Sequence, residues 1–132
     1  MKLTFVNPDT LYDPAPNGYS HAIAATGGRS LVFTAGQGGE NASGALSPNF
    51  DEQVAQAFAN LKEALGAAGT RPNQVAKLTT YVVDHDETKL GILTRQLKDM
   101  FGEWLPAQTL VPVPRLALDG MLFEVDAVAV LS

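Results

Sequence analysis

A carboxylate stands inside an apolar run near the carboxyl end of the chain, "LFEVDAVAV" over 122–130. Strand alternation places Glu124 and Asp126 on one face together with Val128 and Val130. A carboxyl group on such a half-buried face is costly unless it is paired or used. Desolvation raises its pKa, which suits a group that must hand a proton back and forth. Two readings stand side by side: Glu124 as an acid–base residue, and Glu124 in a structural ion pair with Arg115.

Three other groups invite chemistry. His21 follows "GYS" and could serve as a general base, but spacing assigns it no serine, cysteine or acidic partner. A strand-borne histidine satisfied by hydrogen bonds is the expectation. The "DHDE" stretch at 84–87 has ligand-type residues, yet neighbours on one turn seldom converge on an ion and no second cluster accompanies them. It is expected to be a solvated loop whose Asp86 or Glu87 caps the following helix, with no metal site. "GQGG" at 36–39 suggests a phosphate loop, but no lysine follows at the required spacing. Asn41 also stands where G-x-G-x-x-G would need glycine. A plain glycine turn is expected. The chain has no cysteine, so disulfides, thiolate nucleophiles and cysteine-bound zinc are excluded.

The elements that must carry these residues follow from periodicity. Phe50, Val54, Phe58, Leu61 and Leu65 step along one face of a helix, with Asp51 and Glu52 at its positive end and Gly66 or Gly69 to stop it. A second helix is predicted from about Glu87 to Phe101, with Leu90, Leu93, Leu97 and Met100 as its stripe. "LVFTA" (31–35), "AKLTTYVV" (76–83) and "LFEVDAVAVL" (122–131) are predicted strands, the last one central because it becomes almost wholly apolar. "KLTFV" (2–6) and "SHAIAA" (20–25) are weaker strands, and "GQGGENASGALS" (36–47) is a loop. "LPAQTLVPVPRL" (105–116) patterns as a strand without an ionisable side chain between Leu105 and Pro114; Gln108 and Thr109 are its polar side chains. This order predicts one α+β domain over 1–132, its two helices covering one face of a mixed sheet.

Composition narrows the partners. The net charge is −5, and the nine basic residues are scattered rather than gathered into a stripe, so nucleic acid is not expected. No run approaches the roughly 20 apolar residues of a membrane span, and no signal peptide is evident; a cytoplasmic protein is the expectation. Charged residues make up 17% of the chain, below the usual quarter or so. That fits a chain covering the second sheet face with copies of itself.

Six stretches in order resemble the reactive-intermediate deaminase (Rid) family, formerly the L-PSP endoribonucleases. They are "PAPNGYSHAI" (14–23), "LVFTAGQ" (31–37), "NLKEALGAAG" (60–69), "VAKLTTYVVD" (75–84), "FGEWLPAQTLVPVPRL" (101–116) and "FEVDAVAV" (123–130). The resemblance implies a chorismate-mutase-like fold and a homotrimer with small-molecule clefts between subunits. It also implies hydrolysis of enamines and imines to 2-keto acids and ammonia without metal or organic cofactor. By the same resemblance Glu124 positions water, and Tyr19 and Gly36 line the cleft, with Gln108, Thr109 and the backbone at Leu110 as polar handles. Deaminase members carry "PAR-S" where this chain has "PAQT", so Gln108 stands in place of the arginine that pairs with the substrate carboxylate. The family's second-helix asparagine is also missing from "DHDETKLGILTRQ". Arg115 lies seven residues beyond Gln108, with opposite parity and about 20 Å along a strand, so it is not expected to substitute. The implied protein is a branch with poor activity on 2-iminopropanoate and 2-iminobutanoate. A non-catalytic module that binds a metabolite or docks on a partner is the alternative.

Overall fold

The computed structural model describes residues 1–132 and contains seven strands and two α-helices. They are β1 (Lys2–Val6), β2 (Ala22–Thr26), β3 (Ser30–Phe33), β4 (Gln37–Gly38), α1 (Phe50–Ala67), β5 (Val75–Val83), α2 (Glu87–Phe101), β6 (Ala107–Val113) and β7 (Phe123–Leu131). The architecture is α+β, with both helices on one face of a mixed sheet. β7 lies in the middle, paired antiparallel with β3 and β4 on one side and with β5 on the other. β6 joins the far side of β5 in parallel, and α2 supplies the crossover that a parallel pair requires. β1 and β2 form a separate two-stranded antiparallel sheet.

Burial on the helix side follows the predicted stripes. Val54, Phe58, Leu61 and Leu65 of α1 are buried, as are Leu93, Leu97 and Phe101 of α2. Leu90 is 39% exposed, so the covered part of the α2 stripe begins one turn later than its pattern suggests. From the sheet come Leu78 and Val82 of β5 and Phe123, Val125, Ala127 and Ala129 of β7. Phe58 stacks on Phe123 with ring centroids 5.8 Å apart. Each such Leu or Phe contributes roughly 1.5–3 kcal/mol by leaving water.

The polar side chain of Gln53 is fully buried in that layer. Its Nε2 donates to the backbone oxygens of Ser47 (2.7 Å) and Gly120 (2.8 Å), and its Oε1 accepts from Leu122 N (2.9 Å). A single glutamine thus ties α1 to the turn that launches β7. Asp86 caps α2 by accepting from Lys89 N at 2.8 Å, as expected for the 84–87 stretch.

The opposite sheet face carries Leu31 and Phe33 of β3, Val128 and Val130 of β7, and Lys77, Thr79 and Tyr81 of β5, because these alternate with the buried set. No helix of the chain packs there. Leu31 and Phe33 are 59% and 69% exposed. Pro112 is tolerated inside β6 because β6 is an edge strand, where a missing N–H breaks no ladder.

Candidate functional site

Glu124 sits on the open face of β7, opposite Tyr81 of β5 and Gly38 of β4. The β3–β4 segment that flanks it is not one regular strand. Phe33 pairs with Val128, whereas Gln37 pairs with Val125, so the intervening residues contain one more than β7 does. This is a bulge, and the ladder bond it breaks is replaced by Thr34, whose hydroxyl accepts from Ala127 N at 2.9 Å. The bulge delivers Gly36 beneath the Glu124 carboxyl group. A Cβ built on Gly36 would lie 1.7 Å from Glu124 Oε1, so no residue with a side chain fits there while the carboxyl group stays in place. Gly38 is similarly close to Glu40: its Cβ would fall 2.3 Å from Glu40 Oε1. A Cβ on Gly39 would likewise fall 2.7 Å from Gln53 Cα, so the "GQGG" stretch holds the short strand β4 and three close approaches, rather than the plain turn expected.

Electrostatics at this point are one-sided. Glu124 has no basic partner, and its pKa is pushed up first by burial, then by the negative charges of Glu40 and Asp126. Tyr81 is also pushed up, by burial and by Asp126, and stays a neutral phenol whose hydroxyl donates to Asp126 Oδ2 at 3.3 Å. Glu40 Oε1 is buried with no hydrogen-bond partner. Asn60 of α1 holds the backbone around it, donating to the carbonyls of Gly38 (2.9 Å) and Glu40 (2.8 Å). The ion pair between Glu124 and Arg115 does not form. Arg115 lies past the end of β6 and pairs instead with Asp119 at 2.9 Å, in solvent.

A second set of predicted residues gathers at the β6 edge. Ser20 runs beside the start of β6, bridging to Ala107, with its hydroxyl donating to Leu105 O at 2.6 Å. That contact fixes Tyr19 next to the strand. The Tyr19 hydroxyl is hydrogen-bonded to that of Tyr12, and both rings meet His21 edge to face. The hydrogen bonds expected of His21 are present: Nε2 contacts Tyr12 O at 2.7 Å and the backbone N–H donates to Asn7 at 2.8 Å. His21 lies just before β2 rather than in it.

Gln108 and Leu110 pair with Leu78 and Thr80 and leave β6 on the helix-facing side. Gln108 Oε1 accepts from the Thr80 hydroxyl at 2.7 Å. Thr109 points the other way and accepts from Lys77 Nζ at 2.7 Å. One chain therefore unites Glu124 with Gly36, and separately Tyr19 with the β6 strand, but does not unite the two sets. None of the chain's five surface concavities is lined by Tyr19, Gly36, Gln108, Thr109, Leu110 or Glu124. Glu40, Thr80, Tyr12 and Gln53 were not singled out by sequence patterning. Only Glu40 left a trace there, as an acidic residue directly after paired glycines.

Comparison with known proteins bears on the fold and the family. The family described as endoribonuclease L-PSP matches over residues 11–131. The RutC family protein PH0854 of Pyrococcus horikoshii is 35% identical over 123 residues, covering 88% of this chain and 90% of that one. Among solved structures, YyfB of Yersinia pestis, described as a protein of unknown function of the conserved Rid protein family, superposes with a TM-score of 0.94. It is 36% identical, and the match covers 99% of this chain and 100% of that one. Escherichia coli TdcF, solved with bound serine, gives a TM-score of 0.69 at 26% identity, over 86% of this chain and 88% of that one. With the two-layer fold and the matched span of nearly the whole chain, these place the protein in the Rid family, described also as endoribonuclease L-PSP.

Proposed function

We propose that this chain forms homotrimers that hold a small molecule in clefts between subunits, and that each cleft hydrolyses an imine or enamine with Glu124 as the water-positioning base. The observation that carries the reading is the Glu124 carboxyl group, desolvated, lying against Gly36 and left without a cation. The open apolar face with Leu31 and Phe33 supports coverage by further copies. Small-molecule binding is supported by TdcF, which was solved with serine bound. The family description mentions ribonuclease activity, but a chain of net charge −5 with scattered basic residues lacks the usual footprint for RNA.

The chemistry balances without a cofactor. Glu124 takes a proton from water as the oxygen attacks the C=N carbon and returns it to the nitrogen, giving the neutral carbinolamine. Glu124 then takes the carbinolamine hydroxyl proton as the C=O bond forms and delivers it to the departing nitrogen, which leaves as ammonia. A pKa raised by desolvation suits both halves of this exchange.

Gln108 stands where deaminase members hold an arginine, so the cleft offers neutral hydrogen bonds instead of a cation. Substrates with a carboxylate at this position, 2-iminopropanoate and 2-iminobutanoate among them, are then turned over poorly. Ammonia release from freshly generated 2-iminobutanoate tests this in the wild type, Gln108→Arg and Glu124→Ala. The expected pattern is an inert wild type and a gain in Gln108→Arg that vanishes when Glu124→Ala is added. Rapid release by the wild type would remove Gln108 from this role. A Gln108→Arg gain that survives Glu124→Ala would remove Glu124.

A further inference from the structure

Thr80 has no part in the reading above, yet it is wholly buried in β5 and faces the helices beside Gln108. Its hydroxyl has two acceptors nearby: Gln108 Oε1 at 2.7 Å and the Thr109 backbone oxygen at 3.4 Å. A hydroxyl has one proton to give. The shorter contact is at the ordinary O–H···O distance and the longer is beyond it, so the proton goes to Gln108. With its oxygen committed inward, the Gln108 amide has only its two N–H donors left for anything at the β6 edge.

We propose that Thr80 is a positioning residue that fixes the Gln108 amide as a donor, so that the cleft selects ligands presenting a neutral acceptor there, such as a ketone or ester oxygen. The inference rests on the reading of Gln108 as a cleft residue. A freely turning glutamine would pair reciprocally with a primary amide, accepting and donating at once. A glutamine held by Thr80 keeps its oxygen turned inward and away from the ligand, so the ligand amide's own N–H groups go unpaired. A carboxylate is disfavoured at this position for a separate reason, because Gln108 brings no charge to offset its desolvation.

Three probes differing at one group separate these cases by calorimetry: 2-oxobutanoate, its methyl ester and its primary amide. The wild type should bind the ester most tightly, ahead of the amide by at least about threefold. In Thr80→Val, which keeps the shape and loses the hydroxyl, the ester-to-amide ratio should fall by a similar factor, and Thr80→Ser should restore it. A purely structural role would weaken all three probes together. An unchanged ratio in a folded Thr80→Val protein overturns the inference and leaves the cleft reading intact. Failure of the wild type to bind any probe overturns that reading and the inference with it. Should Thr80→Val not fold, neutron diffraction on wild-type crystals decides the point. Deuterium on Thr80 Oγ1 directed at Gln108 supports the inference, and deuterium on the Gln108 nitrogen directed at Thr80 overturns it.

Discussion

Gln108 and Glu124 belong to the same sheet and leave it by opposite faces. Gln108 pairs with Leu78, which pairs in turn with Ala127, so the two residues are also separated by one intervening strand and three residues of β7. Strand spacing and rise put their Cα atoms about 14 Å apart. On the proposed reading, a cleft that contains both side chains is built from two chains, Gln108 from one copy and Glu124 from the next.

That geometry predicts complementation between two chains that are each inactive alone. The wild type supplies the Glu124 carboxylate without an arginine, and the double variant Gln108→Arg, Glu124→Ala supplies the arginine without the carboxylate. Neither should release ammonia from 2-iminobutanoate. Co-assembled at equal amounts, about a quarter of the clefts should join the introduced arginine of one copy to Glu124 of its neighbour. Activity should appear only in the mixture. A mixture as inert as its components would mean that each cleft draws both residues from one chain.

Much of this was legible in the sequence, for identifiable reasons. The helical stripes and the apolar β7 pattern are repeated signals, and they specified the two-layer arrangement and the face of Glu124. Asp86 was legible as a cap because capping is local. The Thr80–Gln108 contact was not, since the two residues are 28 positions apart and their pairing depends on the parallel register of β5 and β6. The close approach of Gly36 was hidden similarly: a bulge is one residue of register, which no composition records. Arg115 misled because chain proximity to β7 suggested a partner for Glu124, while the turn beyond β6 gave it Asp119.

Gly36→Ala should damage the site more than the fold. The new methyl group would have to displace the Glu124 carboxyl group, which can rotate away toward solvent, so the stability cost should be about 1–3 kcal/mol at most. Activity in the Gln108→Arg background should fall as far as it does with Glu124→Ala. A Gly36→Ala protein with full activity in that background would show that the Glu124 position against Gly36 is not the working one.

Gln53→Leu should be the most damaging single change away from the site. It fills the same buried space but strands Ser47 O, Gly120 O and Leu122 N without partners. At about 1–3 kcal/mol for each buried group left unpaired, partly relieved by water entry, a loss of roughly 3 kcal/mol or more is expected in denaturant titration. Because Leu122 leads into β7, Glu124 should also lose its fixed approach to Gly36. A variant within about 0.5 kcal/mol of wild type would place this glutamine among ordinary surface residues.

The pH dependence of stability reports on Glu124 directly. Its folded-state pKa is raised, so between the ordinary carboxylate value and the raised one the folded chain binds more protons than the unfolded chain. Stability linked to this group is then fully present below the ordinary value and is lost as pH rises through the raised one. Glu124→Gln mimics the protonated form and should melt higher than wild type at pH 8, with the gap closing toward pH 4. Glu40→Gln removes one of the negative charges acting on Glu124, so the Glu124 carboxyl carbon should titrate at lower pH by NMR. It should remain above the ordinary value, because burial is the larger cause. Equal melting of wild type and Glu124→Gln at pH 8 would mean that the carboxylate is compensated by a cation from another copy, and an unmoved titration in Glu40→Gln would separate the two carboxylates electrostatically.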